Sequence, residues 1–461
     1  NYIAGVNAGN SITAGGNFNT VVGDEAGTAI TTGDQNVAVG FEALKANTTA
    51  GNNTAIGHNA LKANITGISN TAIGSRAGDA ITSGNFNTAL GNVALGSETT
   101  GGGSVAIGHG ALSTQNSTDS ADMFNTAVGR EAGALVTTGV QNVLIGAKAG
   151  DSLTTSNSNT VVGYEALSTA VGFSENTAVG YRALKTSGDG HSNTAVGHET
   201  MLALTTGTLN VAIGHDAGTA MTTGANNVAV GANSLDANTS GGSNTAVGWN
   251  SMTTNTTASE NTAVGQSSLG LNTTGSSNTA IGKSALGANT TASNNTAVGI
   301  DALTANTTGA QNTAVGKQAL MRNTTAANNT AVGFTALDHN TTGADNTAVG
   351  RDALSAVTDG DRNAGFGYKA GLALTTGNNC TLIGEQSGYQ MTGDATHNTC
   401  IGQSAGGSIT SGIENIAIGR TAGQDAVANI TTASNQIVLG INAHTHAFIK
   451  IDWTVTSDER D

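Results

Sequence analysis

Proline is absent from all 461 residues, and aromatic side chains supply only 3% of them. Ordinary usage of about 5% would place roughly 23 prolines in a chain of this length. Strands that need their N–H groups on both flanks have no room for proline, so its absence points to continuous hydrogen-bonded ladders. The scarcity of rings excludes an ordinary globular core, and charged residues, at 10%, are too few for a disordered acidic tail. Positive charge is scarcest: 16 Lys and Arg stand against 31 Asp and Glu, the net charge is −15, and no basic run exists. Phosphate recognition needs clustered Lys and Arg, so nucleic acid and anionic membrane surfaces are not expected as partners. No segment approaches the ~20 apolar residues of a membrane span and no signal peptide is visible, so membrane insertion is not expected either.

What fills the chain instead is a five-residue phrase of the type Asn-Thr-Ala-Val-Gly. It occurs 26 times, and 21 of the 25 intervals between copies are 17 residues. Its fifth position is glycine in every copy, as at Gly23, Gly40, Gly57, Gly231, Gly316 and Gly333. A fixed period of this kind means that each unit is one coil, unable to bury its apolar face alone and stacked on its neighbours. The expected fold is therefore all-β: a parallel β-solenoid or β-roll of about 26 coils with a 17-residue period. Residues 1–440 form one repetitive shaft, interrupted at 113–123 where one coil lengthens to 21 residues and a protruding loop is expected. At ~4.8 Å per coil the shaft would be about 120 Å long. Residues 441–461 leave the repeat. The first residue, Asn1, is already in register, so the sequence reads as a fragment of a longer chain.

The coil Asn312–Asn328 serves as the example. Alternate residues of a strand point to opposite faces, which groups positions 2 and 4 against positions 1 and 3. Positions 2 and 4 are mostly Thr, Val or Ile and are expected to form the core column. Glycine at position 5 turns the chain out of the strand through a positive φ or a close backbone approach. Positions 9 and 12 trade with one another: Leu with Asn (Leu44 and Asn47, Leu303 and Asn306) against Gly with an apolar residue (Gly27 and Ile30, Gly218 and Met221). One large apolar group per coil thus fills a fixed cross-section. None of the 130 phrase positions carries charge, including position 1 (Asn312, Asn329) and position 3 (Ala314, Ala331). A solvent-facing column has no reason to exclude charge, so this second face is expected to pack against another subunit of an elongated homotrimer. Cys380 and Cys400 fall on adjacent coils with Cα atoms an expected ~8 Å apart, too far for a disulfide; both are read as small buried residues.

The last residues run through Asp452-Trp453-Thr454 to Ser457-Asp458-Glu459-Arg460. This junction resembles the one in phage tail fibres and tailspikes that precedes an endosialidase-type intramolecular chaperone, where a strand region ending in Trp-Thr is followed by Ser-Asp-x-Arg. The resemblance implies a trimer assembled by that chaperone and self-cleavage between Ser457 and Asp458. The repeats resemble the left-handed β-roll heads of trimeric autotransporter adhesins. Together these imply a structural and adhesive trimeric fibre of a phage tail, extracellular in the virion. It would bind a host cell-surface glycan or protein and join other tail proteins through a missing N-terminal part. A bacterial cell-surface trimeric adhesin is the alternative.

No enzyme activity beyond the self-cleavage is expected, and no cofactor is required. His444 and His446 lie two apart, hence on one face of an extended segment, and three such pairs around a trimer axis could hold a transition metal. Position 6 gathers Tyr164, Tyr181, His198, His215, Trp249, Phe334 and Tyr368, among others, rings that could stack on sugars but are expected to stack on one another. Acidic residues recur at position 7, as at Glu199 and Asp216, and are read as a solvated column and not as a glycosidase pair. Adjacent Thr residues at positions 13 and 14 point apart and so do not make a flat ice-binding face. The Asn-Thr-Thr triplets are accounted for by turn chemistry.

Overall fold

The structure is a computed structural model that describes residues 1–186, 188–425, 429–441 and 443. It is a parallel β-solenoid of about 26 turns, one three-residue strand to a turn, with no helix among the described residues. The chain falls into two compact units, Asn1–Asn278 and Thr279–Asp461. In the first, strands from Tyr2–Ala4 to Thr262–Val264 pair in parallel, each with the next, as Thr177–Val179 does with Thr194–Val196. The second repeats this from Thr279–Ile281 to Ile437–Leu439; Thr313 lies opposite Thr330, Ala314 opposite Ala331 and Val315 opposite Val332. A fixed spacing with identical phrases makes this in-register pairing the only one in which every glycine meets a glycine.

The two faces of the strand are the reverse of the sequence expectation. Ala314 and Ala331, at position 3, are fully buried inside the chain's own coil, and so are Asn312 and Asn329 at position 1. A side chain with no accessible surface has nothing to offer another subunit, so these four residues are not an interface. Positions 2 and 4 point outward: Thr313 and Thr330 are half-buried by their ladder neighbours, and Val315 and Val332 are exposed. The physical reason lies in the cross-section. One Leu, Ile or Met per turn, with Ala at positions 3 and 8, already fills it, and a second β-branched column would not fit.

Buried asparagine is tolerable because the stack satisfies it. Asn312 Oδ1 accepts from the backbone N–H of Asn329 at 3.0 Å, and Asn312 Nδ2 donates to the carbonyl of Ala326 at 2.8 Å. The second asparagine of the turn, Asn323 at position 12, donates to that same Ala326 carbonyl at 3.0 Å and to Asn306 Oδ1 at 2.8 Å. Two amide ladders thus run along the interior and meet on one carbonyl per turn. Where Cys380 replaces asparagine at position 1, its Sγ contacts the equivalent carbonyl, of Ala395, at 3.1 Å. Both cysteines are free and buried as expected. Burial pushes the Cys380 thiol up, and the Cys400 thiol up to about 12.

After the strand the turn is built from left-handed residues. Gly316 has a φ of 135°, and a Cβ added there would stand 2.4 Å from the carbonyl oxygen of Gly333. Gln318 and Leu320 follow with φ of 60° and 50°. Their N–H groups point along the stack in opposite senses: Gln318 donates to Ile300 at 2.9 Å and Leu320 to Ala336 at 3.0 Å. A left-handed leucine costs roughly 1–2 kcal/mol, which burial of its side chain and this hydrogen bond offset. The exchange between positions 9 and 12 has a direct cause. A Cβ on Gly27 would come within 2.8 Å of Ile30 Cδ1, so the apolar residue at position 12 occupies the space that leucine at position 9 fills elsewhere.

The insertion Ser113–Met123 protrudes only in part. Gln115, Ser117 and Met123 are buried, whereas 118–122 are exposed. Glu98, fully buried, organises it: its carboxylate accepts from the N–H of Gly101 at 2.7 Å, of Thr99 at 3.0 Å and of Ser117 at 3.2 Å, and from Gln115 Nε2 at 3.0 Å. Gln115 also accepts from Asn125 Nδ2 at 2.8 Å, which carries the amide ladder past Ser104, where asparagine is missing.

Candidate functional site

The outward strand face is the largest candidate surface. In the second unit Val315, Val332, Val349, Phe366, Ile383 and Ile401, on six consecutive turns, are 36–39% exposed. Beside them runs a half-buried column of Thr313, Thr330, Thr347, Ala364, Thr381 and Thr399. Strand geometry sets the two columns ~6.6 Å apart and the turns ~4.8 Å apart, so these six turns present a flat apolar strip about 30 Å long. No phrase position carries charge. The first unit has the same face, with Ile56, Leu90, Ile145, Ile213 and Val264 exposed. The period-2 alternation that reveals this strip was legible in the sequence, but it gives two faces without saying which is outside.

The position 6 rings stack on one another as expected. Tyr164 and Tyr181 lie 5.8 Å apart between centroids, Tyr181 and His198 5.0 Å, and His198 and His215 4.9 Å, all within 16° of parallel. In the second unit Arg351 bridges the column, its guanidinium 6.0 Å from the Phe334 ring and 5.6 Å from the Tyr368 ring. Carboxylates at position 7 pair with cations of neighbouring turns: Glu165 lies 2.7 Å from Lys185 and 3.0 Å from Arg182. The Lys185 ammonium, with help from the Tyr164 hydroxyl, holds the Glu165 carboxyl down at about 2. Exposed pairs of this kind contribute little to stability.

Position 10 behaves differently. Asp151, Asp236 and Asp338 lean toward the coil, each leaves Oδ1 shielded and without a hydrogen-bond partner, and burial raises the pKa of all three. A carboxyl whose folded pKa is raised stabilises the fold below its unfolded pKa, and that contribution is lost as pH rises through the folded value. Asp236→Asn is therefore expected to stabilise the protein at pH 7 by ~0.5 kcal/mol, a figure discounted for partial exposure, and to change nothing at pH 3. Thermal melts at the two pH values check this.

The glycines Gly23, Gly40, Gly57, Gly231, Gly316 and Gly333 all hold φ between 130° and 143° against the backbone of the following turn. His444, His446, Ser457 and Asp458, with nearly all of 441–461, lie outside the described residues. No protein-family model matches the chain, and no curated protein matches it in sequence.

Proposed function

We propose that the chain is a structural and adhesive fibre protein whose copies associate as a homotrimer through the outward Thr and Val/Ile face. The single observation that carries this reading is the uncharged apolar strip. Contiguous exposed apolar surface of this extent marks an interaction site on a soluble protein, and a strip repeated turn after turn is best matched by another copy with the same period. Three such strips meeting on a threefold axis bury them all and close the assembly. A stiff trimer then displays its exposed loops, 118–122 among them, in three copies to a host glycan or protein, which multiplies weak contacts. The resemblance of the C-terminal junction, with Ser457 and Asp458 as the scissile pair, supports placing the fibre on a phage tail; a bacterial surface adhesin is the alternative. Coding sequence for a chaperone after Asp461 favours the former, a membrane-barrel anchor the latter.

Light scattering tests the association. A particle of three times the 45.2 kDa chain mass, reduced to one chain by Val315→Lys with Val332→Lys while the β circular dichroism persists, is the expected result. A trimer that survives the double substitution overturns the choice of face, and a monomeric parent protein overturns the fibre reading. In that event the same strip favours a second reading: Thr and Val columns on one flat face form a regular hydroxyl and methyl array suited to ordered water, and thermal hysteresis would measure it.

A further inference from the structure

Among the described residues, one group of three metal-capable side chains has all its ligand atoms within 4.8 Å of one another: His198, His215 and Asp216. The repeat brings them together. His198 and His215 occupy position 6 of consecutive turns, 17 residues apart, on strands paired with Val196 opposite Ile213. Asp216 follows at position 7. Its carboxylate lies between the two rings, Oδ2 3.0 Å from His215 Nδ1 and Oδ1 3.8 Å from His198 Nδ1.

Two features separate this cluster from a chance surface grouping. Asp216 Oδ1 is shielded from solvent yet accepts no hydrogen bond, so a carboxylate oxygen beside two imidazoles has no donor of its own. The backbone beneath is fixed: the Asp216 N–H donates to His198 O at 3.0 Å, and Thr219 Oγ1 donates to the Asp216 carbonyl at 2.8 Å. The nearby cation is engaged elsewhere, since Arg182 lies 3.0 Å from Glu165 and 3.6 Å from Glu199. What the site lacks is positive charge of a kind that imidazole and carboxylate both accept.

We propose that His198, His215 and Asp216 bind a first-row transition dication, of the Zn²⁺, Ni²⁺ or Cu²⁺ class, as a clip across two turns of the solenoid. Two imidazole nitrogens and a carboxylate oxygen form a donor set that suits these ions and leaves at least one position to water. The rings stand 4.9 Å apart and within 5° of parallel, and parallel rings cannot aim both lone pairs at one ion at about 2.1 Å. Binding therefore turns one ring out of the stack. The His198 and His215 side chains are 46% and 59% exposed, so packing does not oppose that rotation. The site is independent of the fibre reading, because every ligand comes from one chain.

Calorimetric titration of the full chain with ZnCl₂ at pH 7.5, in a buffer that does not chelate, tests the proposal. Expected is one ion per chain lost at this site in His215→Ala, with affinity at least tenfold weaker in His198→Ala and Asp216→Asn. Electron paramagnetic resonance with Cu²⁺ gives a second readout: coupling to two nitrogens in the parent protein and to one in either histidine variant. His444→Ala with His446→Ala removes the other spaced pair and is expected to leave both readouts of this site unchanged. Zinc affinity within twofold of the parent in a His198→Ala, His215→Ala double variant, or no saturable binding by the parent, overturns the assignment.

Discussion

Gly316→Ala is expected to cost more than ~4 kcal/mol, enough to unfold the turns around it. Two effects add. At a φ of 135° only glycine is unstrained, and forcing an L side chain there costs of order 1–3 kcal/mol. The new Cβ would also lie 2.4 Å from the oxygen and 2.7 Å from the carbonyl carbon of Gly333. Those are backbone atoms of the next turn, locked in register by the hydrogen bond from Gly333 N–H to Val315 O at 2.8 Å, so they cannot step aside as a flexible side chain would. Relief means separating two turns and breaking the ladder. Gly270→Ala is the control: its φ is not positive and its nearest neighbour, Ser267 O, is 3.2 Å away, so a change under ~1 kcal/mol is expected. Urea denaturation followed by circular dichroism compares the two; a Gly316→Ala protein as stable as the control would refute the close approach of turns.

The second large effect concerns the paired amide ladders. Asn329→Leu keeps the volume but removes the acceptor for the Asn346 N–H, which donates to Asn329 Oδ1 at 2.9 Å. A buried N–H left without a partner costs ~1–3 kcal/mol, and the lost hydrogen bonds add about 1 more, so a loss of ~2–4 kcal/mol is expected. The Gly343 carbonyl is not orphaned by this change. It accepts from Asn329 Nδ2 at 2.9 Å and also from Asn340 Nδ2 at 2.8 Å. Asn340→Leu alone is therefore the milder substitution at that carbonyl, and the two together strip it of both donors. The double variant is expected to lose at least ~1 kcal/mol more than the sum of the singles. A strictly additive cycle, measured by equilibrium unfolding, would mean that the shared carbonyl does not couple the ladders.

These two predictions rest on features of differing legibility. Glycine at position 5 in all 26 phrases announces a backbone requirement without any structure, and the observed φ values and close approaches are its cause. The exchange of Leu303 and Asn306 for Gly218 and Met221 likewise reports a fixed interior volume, and all three apolar or amide members, Leu303, Asn306 and Met221, are fully buried. The paired amides could not be read this way. Asn312 and Asn323 are separated by turns, and nothing in their spacing says that both reach the Ala326 carbonyl. The cluster of His198, His215 and Asp216 stood in plain view as neighbours on successive coils, but only side-chain positions reveal the unpartnered carboxylate oxygen between the rings.

The sequence by itself determined the parallel solenoid, its 17-residue period, its register and its glycine corners, because each follows from repetition and from the conformational limits of a single residue. Which face of the strand lies inside was decided by the tertiary structure alone. Hydrophobicity assigned Val315 to the core and Asn312 to a surface, a sound inference for an isolated strand. Stacking reverses it: neighbouring turns supply every hydrogen bond a buried asparagine needs, the narrow interior has room for alanine beside one large side chain, and the β-branched column is left outside, where it becomes the surface on which association is proposed.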